Sequence, residues 1–280
     1  MKFAFHMRQP FEKTLKVANA MRAGAARYGD NIAIHENFKG VEDVDGLILF
    51  GIGGESAIYW DEYRRAGKHI VFVDKGYSRM PYFRVSVNGF QPYDFINRKY
   101  CASGRLAQLG LNFKDLRPSG EHILLDGASN KYCLWNRLGY WVDWGQYMVD
   151  CIRKASDRPI IYRPRPSHNP APSIKGAILS TGILADDFAK SHIVVTHGGN
   201  IAWDAIIYGL PVFTIDDKSF ASPIAETDWN NLHKPRLIKA KKVNQWAANV
   251  AYCQYTLEEM ASGLAWPRIK SELGGGFDED

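Results

Sequence analysis

Thr196-His197-Gly198-Gly199-Asn200 stands between a short β-branched run and an apolar stretch of helical period. Glycines let a ligand approach the backbone where a Cβ would stand in the way. A turn of this kind at the start of a helix presents amide N–H groups and the positive end of the helix dipole, which favours phosphate. Asp204 falls about one turn into that helix, where a carboxylate can take a pair of ribose hydroxyls. Upstream, Arg163 and Arg165 flank Pro164 and could grip a diphosphate with charge-assisted, bidentate bonds. Ser129 and Lys131, in Asp126-Gly127-Ala128-Ser129-Asn130-Lys131, add a hydroxyl and an ammonium group in a third loop. This is chemistry for holding a phosphorylated ligand. The plainer alternative is that the glycines only permit tight packing.

The elements that must position these residues follow from periodicity. Residues 193–195 make a buried parallel strand, Ile201–Tyr208 a helix, and Gly209-Leu210-Pro211 its stop before a strand at 212–215. That is a βαβ unit. Before it, strands are expected at His122–Asp126 and 159–162, with helices at Trp141–Ala155 and 183–190. The first half repeats the theme, with strands at Lys2–His6, Asn31–His35, 44–50 and 69–73, and helices at 11–28 and 56–66. An extended segment at 80–91 and a helix at 93–109 follow. Asp115-Leu116-Arg117-Pro118-Ser119-Gly120 reads as a linker. Helices at 242–252 and 256–264 close the chain, the second capped by Thr256. Alternation of this kind indicates α/β units whose ligands lie outside the carboxyl ends of the strands.

The 280 residues suffice for two domains. The division expected is 1–117, 118–255, a closing helix at 256–272 and a disordered tail at 273–280. No apolar run reaches the roughly 20 residues of a membrane helix, and the N-terminus lacks the apolar core of a secretory signal. Cys101, Cys133, Cys151 and Cys253 form no Cys-x-x-Cys pair and read as reduced thiols of a cytoplasmic protein. The net charge of +5 is uneven: from Arg64 to Arg117, eleven Lys and Arg oppose three Asp, leaving +8. Such a region suits a polyanionic partner, nucleic acid or an anionic lipid surface, unless it is only a solvated basic face.

The segment THGGNIAWDAIIYGLPVF resembles the donor-binding segment of nucleotide-sugar glycosyltransferases of the GT-B architecture, which have two facing Rossmann-like domains and C-terminal helices crossing back to the first. The resemblance implies that the glycine turn meets the phosphates. It also implies that the acidic residue five before Gly-Leu-Pro, here Asp204, binds the ribose. The interval from His197 to Asp204 is one residue shorter than in plant-type and macrolide-type members, so their histidine role is not carried over. RPIIYRPRP resembles the Arg-x-His-Pro strand end of capsule and teichoic-type transferases, with Arg165 where His is usual. NQWAANVAYCQYTLEEMASGLAW resembles the C-terminal helices of small glycosyltransferase-like proteins of bacteriophages, some of which modify DNA bases. The likeness spans residues 120–266.

What the resemblance implies is a metal-independent hexosyl- or pentosyltransferase with no resident cofactor and a UDP-sugar as co-substrate, UDP-glucose among the candidates. Asp216 and Asp217 are adjacent, not spaced as Asp-x-Asp, and read as a solvated loop pair. A general base must take the acceptor proton. Three groups at carboxyl ends of N-terminal strands qualify: Asp74 first, then Glu55, then His6. Lys75, Tyr77, Arg79 and Arg84 interleave aromatics with bases and suit acceptor contacts. The expected acceptor is DNA carrying a 5-hydroxymethylpyrimidine such as 5-hydroxymethylcytosine, with the base flipped into the site and phage DNA modification as the setting. Two alternatives stand. One is a surface-polysaccharide or lipid-linked polyol-phosphate transferase, and the other is a non-catalytic nucleic-acid-binding Rossmann protein.

Overall fold

Short β-branched and aromatic runs alternate with amphipathic stretches, and most of them fold as that pattern dictates. The computed structural model describes residues 1–7, 11–37, 40–53, 55–168, 171 and 173–274. The chain divides into two compact units, residues 1–95 with the chain from Tyr252 onward, and residues 96–251. In chain order the first unit comprises β1 (Lys2–His6), α1 (Glu12–Ala26), β2 (Asn31–His35), β3 (Gly46–Phe50), α2 (Ser56–Arg65), β4 (His69–Lys75) and β5 (Phe83–Val87). Helix α3 (Tyr93–Arg98) spans the boundary. The second unit comprises α4 (Gly104–Gln108), β6 (His122–Asp126), α5 (Asn130–Trp135), α6 (Trp141–Ala155), β7 (Ile160–Arg163), β8 (Ile178–Leu179), α7 (Leu184–Ala189), β9 (Ser191–Thr196), α8 (Ile201–Tyr208), β10 (Val212–Thr214) and α9 (Ala240–Ala251). The chain then returns to the first unit with β11 (Gln254–Tyr255), α10 (Leu257–Ala261) and α11 (Trp266–Leu273).

Among the described residues the first sheet has the order β11-β5-β4-β3-β1-β2. Strands β1 to β4 run parallel, while β5 is antiparallel to both β4 and β11. The order reverses between β1 and β3, which puts His6, the last residue of β1, at the switch point. The second sheet, β10-β9-β6-β7-β8, is parallel throughout. Its order reverses between β6 and β9, whose last residues are Asp126 and Thr196. Ligands of open parallel sheets bind at such reversals.

Three sequence expectations change. Residues 115–120 are not a free linker. They are laid along the second unit by hydrogen bonds from Leu116 N to Ile238 O, Arg117 N to Gly209 O, and Ser119 N to Ser191 O. Asp115 anchors the strap by accepting from Ala240 N at 2.8 Å, which with Lys239 and Arg117 holds its carboxyl down to about 2. The expected helix at 93–109 is broken into α3 and α4. Buried Asn249 of α9 satisfies the break: it donates to Ile96 O and Lys99 O and accepts from Cys101 N. Residues 96–117 therefore pack with the second unit. The basic segment is divided as a result: Arg98, Lys99, Arg105, Lys114 and Arg117 belong to the second unit, and the positive excess is not a property of the first alone. Of the expected disordered tail, 275–280 lies outside the described residues.

The return segment is structural. Trp266, Ile269 and Leu273 sit in one apolar cluster with Phe3, Phe5, Val17 and Met21. Trp266 meets the edge of Phe3 at 5.6 Å and donates Nε1 to Asp30 Oδ2 at 2.7 Å. Thr256 and Glu259 form a reciprocal capping box at the start of α10. Trp266→Ala is expected to destabilise the first unit by about 3–5 kcal/mol, the usual cost of emptying a large buried aromatic site; urea unfolding followed by circular dichroism measures it.

Candidate functional site

In the second unit three loops converge at the ends of β6, β7 and β9. Asp126 ends β6 and is 9% exposed. Burial raises its pKa, while Arg165, Thr196 and Arg163 oppose that shift. Thr196 Oγ1 donates to Asp126 Oδ2 at 2.9 Å and accepts from Gly199 N at 3.2 Å, so one hydroxyl ties the turn to the carboxyl group. A Cβ on Gly199 would come within 2.9 Å of that same oxygen. Gly198 has φ +91°, which favours glycine. The two glycines thus serve the turn itself, and the Gly199 amide points inward to Thr196.

The two arginines part company. Arg163 Nη1 donates to Asp187 Oδ2 at 2.6 Å, to Ser180 Oγ at 3.0 Å and to Gly182 O at 3.0 Å, a bracing role within the unit. Arg165 is half-buried and held at its inner edge, Nε donating to Gly127 O at 3.2 Å and Nη2 to His197 Nε2 at 3.4 Å. A guanidinium cannot accept, so His197 Nε2 is the acceptor and its proton sits on Nδ1, 3.9 Å from Asp126 Oδ2. Burial, and next the charge of Arg165, lower the pKa of His197 to about 3. His197 is therefore neutral, and its approach to Asp126 is no ion pair.

Asn200 is the N-cap residue of α8 with no side-chain cap bond, and Asp204 lies in the first turn, half-buried, its charge felt at Asp126. Ser129 caps α5 by accepting from Tyr132 N at 3.1 Å, and Lys131 is exposed beside it. Neither the short helix α5 nor its aromatic face was expected. Tyr132 lies against the His197 ring, centroids 4.0 Å apart, and Trp144 of α6 meets it edge-on at 5.7 Å. Beyond these rings opens a cavity of about 740 Å³, lined among others by Asp143, Tyr147 and Asp216. Asp216 is half-buried there, and burial raises its pKa, so it is not the solvated loop residue its adjacency to Asp217 suggested.

In the first unit, His6 lies at the sheet reversal with its side chain fully enclosed. Its Nε2 is 3.1 Å from Tyr63 Oη and 3.3 Å from Glu42 Oε1. His35, its register partner on β2, places Nε2 3.1 Å from Glu42 Oε2. The two rings stack at 5.3 Å. Burial lowers the pKa of His6 against the pull of Glu42. Glu42 is thus held between two imidazoles with about a third of its side chain open. Of the other expected bases, Glu55 accepts from Tyr59 Oη at 2.7 Å. Asp74 is engaged at both oxygens, by Lys75 N at 2.8 Å and Arg84 Nη2 at 3.2 Å. Of the expected acceptor residues, Lys75 and Arg79 are exposed, whereas Tyr77 is fully buried against Gln91 and Arg84 is 5% exposed beneath Phe90 and Tyr77. Gly54 of the Gly51-Ile52-Gly53-Gly54 loop lies outside the described residues.

No protein-family model matches the chain, and no curated protein matches it. Its fold is similar to that of the KpsC β-Kdo 2,7 transferase of Thermosulfurimonas dismutans, with a TM-score of 0.54, 11% identity, and coverage of 96% of this chain and 100% of that one. The β-Kdo 2,4 transferase of the same KpsC aligns with a TM-score of 0.47 and 12% identity over 91% of this chain and 92% of that one. The chain has the GT-B type of fold, two Rossmann-like α/β units with the C-terminal helices built into the first. No helix among the described residues is long and apolar enough to cross a membrane.

The His197 geometry generates a pH prediction. Its folded pKa lies below the unfolded value of about 6.5, so the unfolded chain takes up the proton first. Its contribution to stability is complete above about pH 6.5 and is lost progressively as pH falls toward 3. His197→Gln, which keeps polarity without that titration, is expected to flatten the decline in melting temperature between pH 6.5 and 4.5, read by differential scanning calorimetry.

Proposed function

We propose that the protein is a glycosyltransferase that moves a sugar from a nucleotide-activated donor, a UDP-sugar first, to a hydroxyl group. The observation that carries this reading is the convergence of Arg165, the His197–Asp126 turn and the α8 N-terminus at the sheet reversal, beside a ligand-sized cavity. The fold likeness to a sugar transferase supports it. In the reaction, the acceptor oxygen forms a bond to the anomeric carbon while the bond from that carbon to the donor phosphate oxygen breaks. The departing phosphate gains charge, which Arg165 and the α8 dipole stabilise. The acceptor proton must go to a general base. Glu42 is preferred to Asp74 and Glu55 for its place beside His6 at the sheet reversal, with about a third of its side chain open. His6 and His35 flank Glu42, one at each carboxylate oxygen.

The acceptor reading rests on individual exposed bases of the first unit, among them Arg64, Arg65, Lys75 and Arg79; the unit as a whole carries 15 Lys and Arg against 17 Asp and Glu. Those bases suit an anionic polymer, with hydroxymethylpyrimidine DNA before an anionic surface polysaccharide. Incubation with labelled UDP-glucose and each polymer tests both at once. A hexose added to the modified nucleoside supports DNA, label on polysaccharide alone replaces it, and no transfer from any nucleotide sugar removes the transferase reading.

Two sets of variants separate roles. Arg165→Ala and Asp204→Asn are each expected to weaken donor binding by about 1–3 kcal/mol in calorimetry, the range for losing hydrogen bonds to charged groups, and Lys should rescue position 165 poorly. Arg163→Ala should instead cost about 3 kcal/mol of stability, since it strands Asp187 in its buried site. Glu42→Gln is expected to lower transfer by about 10²–10⁴-fold while donor affinity stays constant. Full turnover in that variant would return the role to Asp74.

A further inference from the structure

The cavity beside His197 adjoins the Arg165 guanidinium, yet it is suited to refuse an anion. Tyr132, Trp144 and Tyr147 supply aromatic surface, and Asp143 and Asp216 supply carboxylates. Among the described residues no Lys or Arg lines it, and its histidine, His197, is neutral. Asp143 stands in the first turn of α6, and Asp216 follows β10, its Oδ1 already accepting from Lys218 N at 2.9 Å. The cavity mouth is apolar and open: Leu138 is 42% exposed, Tyr147 64% and Ile215 37%. Exposed apolar side chains grouped at a cavity mouth mark a ligand site. Its volume of about 740 Å³ is ample for a hexose and part of a nucleotide.

The chemistry of these walls selects a particular partner. A pyranose presents C–H faces that pack on aromatic rings and hydroxyl groups that donate to carboxylates. A carboxylate-bearing sugar would bring a third negative charge toward two others, and like charges so placed repel. We infer that this cavity receives the donor's transferred sugar as an uncharged, polyhydroxylated ring, stacked on Tyr147 and Trp144 and hydrogen-bonded by Asp143 and Asp216, and that it discriminates against acidic sugars. The inference rests on the glycosyltransferase reading and gives its donor site a substrate class.

Calorimetry with UDP-glucose, UDP-glucuronate and UDP tests it, because the two sugars differ only in the C6 carboxylate. UDP-glucose is expected to bind at least about tenfold more tightly than UDP-glucuronate. Asp216→Asn and Asp143→Asn should each narrow that gap by about fivefold or more, through improved binding of glucuronate. Tyr147→Ala should weaken UDP-glucose and leave UDP unchanged. Equal or tighter binding of UDP-glucuronate overturns the inference while leaving the transferase reading intact. So does a Tyr147 or Asp216 variant that changes UDP and UDP-glucose alike, since the cavity then holds the nucleoside. If UDP itself fails to bind, GDP-mannose and GDP-mannuronate replace the pair with the same criteria. Failure of every nucleotide removes the transferase reading, and the sugar pocket with it.

Discussion

A carboxyl group buried at the end of a strand is the constraint on which the second unit's site depends. Asp126 has left water, and isolated burial of its charge would cost several kcal/mol. The surroundings answer with a hydroxyl from Thr196 and the nearby charge of Arg165. Each answer fixes something else. Thr196 is also the acceptor for the Gly199 amide, so the turn closes over the carboxyl only where no Cβ intervenes. Arg165, drawn into the same corner, keeps the neutral His197 ring in one tautomer. The ring in turn carries Tyr132 and Trp144, and these begin the cavity wall. A binding site thus grows outward from one costly group.

The first unit solves a related problem with a different chemistry. Its carboxylate, Glu42, belongs to a loop and keeps one face in water, and two strand-end histidines meet its oxygens. His6 and His35 share a register because β1 and β2 run parallel, so the sheet itself sets the spacing that lets one carboxylate touch both. Sheet reversal and parallel register put the chemistry of both units at the same kind of place, the carboxyl ends of central strands.

Much of this was legible in the sequence. Strand and helix alternation gave the α/β units, and Thr196 to Asn200 gave the turn, because β-branched runs and paired glycines have few other uses. What was not legible depends on contacts distant in sequence. Glu42 lies in a polar loop with no motif around it, and only folding brings it to two histidines. That His6 and His35 each end an expected strand was the available clue. Arg163 and Arg165 look equivalent on either side of a proline, yet Asp187, 24 residues later, claims one and leaves the other. Asp216 looked solvated because its neighbour is acidic too, whereas the strand before it turns it into the cavity wall. The unit boundary was misplaced for a similar reason: a Pro-Ser-Gly stretch reads as a linker until its amides are seen bonded to Ser191 and Gly209.

The return of the chain to the first unit has a bearing on how the protein is made. Residues 96–251 are contiguous, so they can fold as soon as they clear the ribosome. The first unit's earlier residues emerge before the second unit but wait for α11, translated after it, to deliver Trp266 and Ile269 to their apolar cluster. Until then β5 lacks β11 and presents an open edge, a template for pairing with other chains. Of the two units, synthesis order and folding order are therefore reversed, and the one begun earlier is the one that needs protection longer.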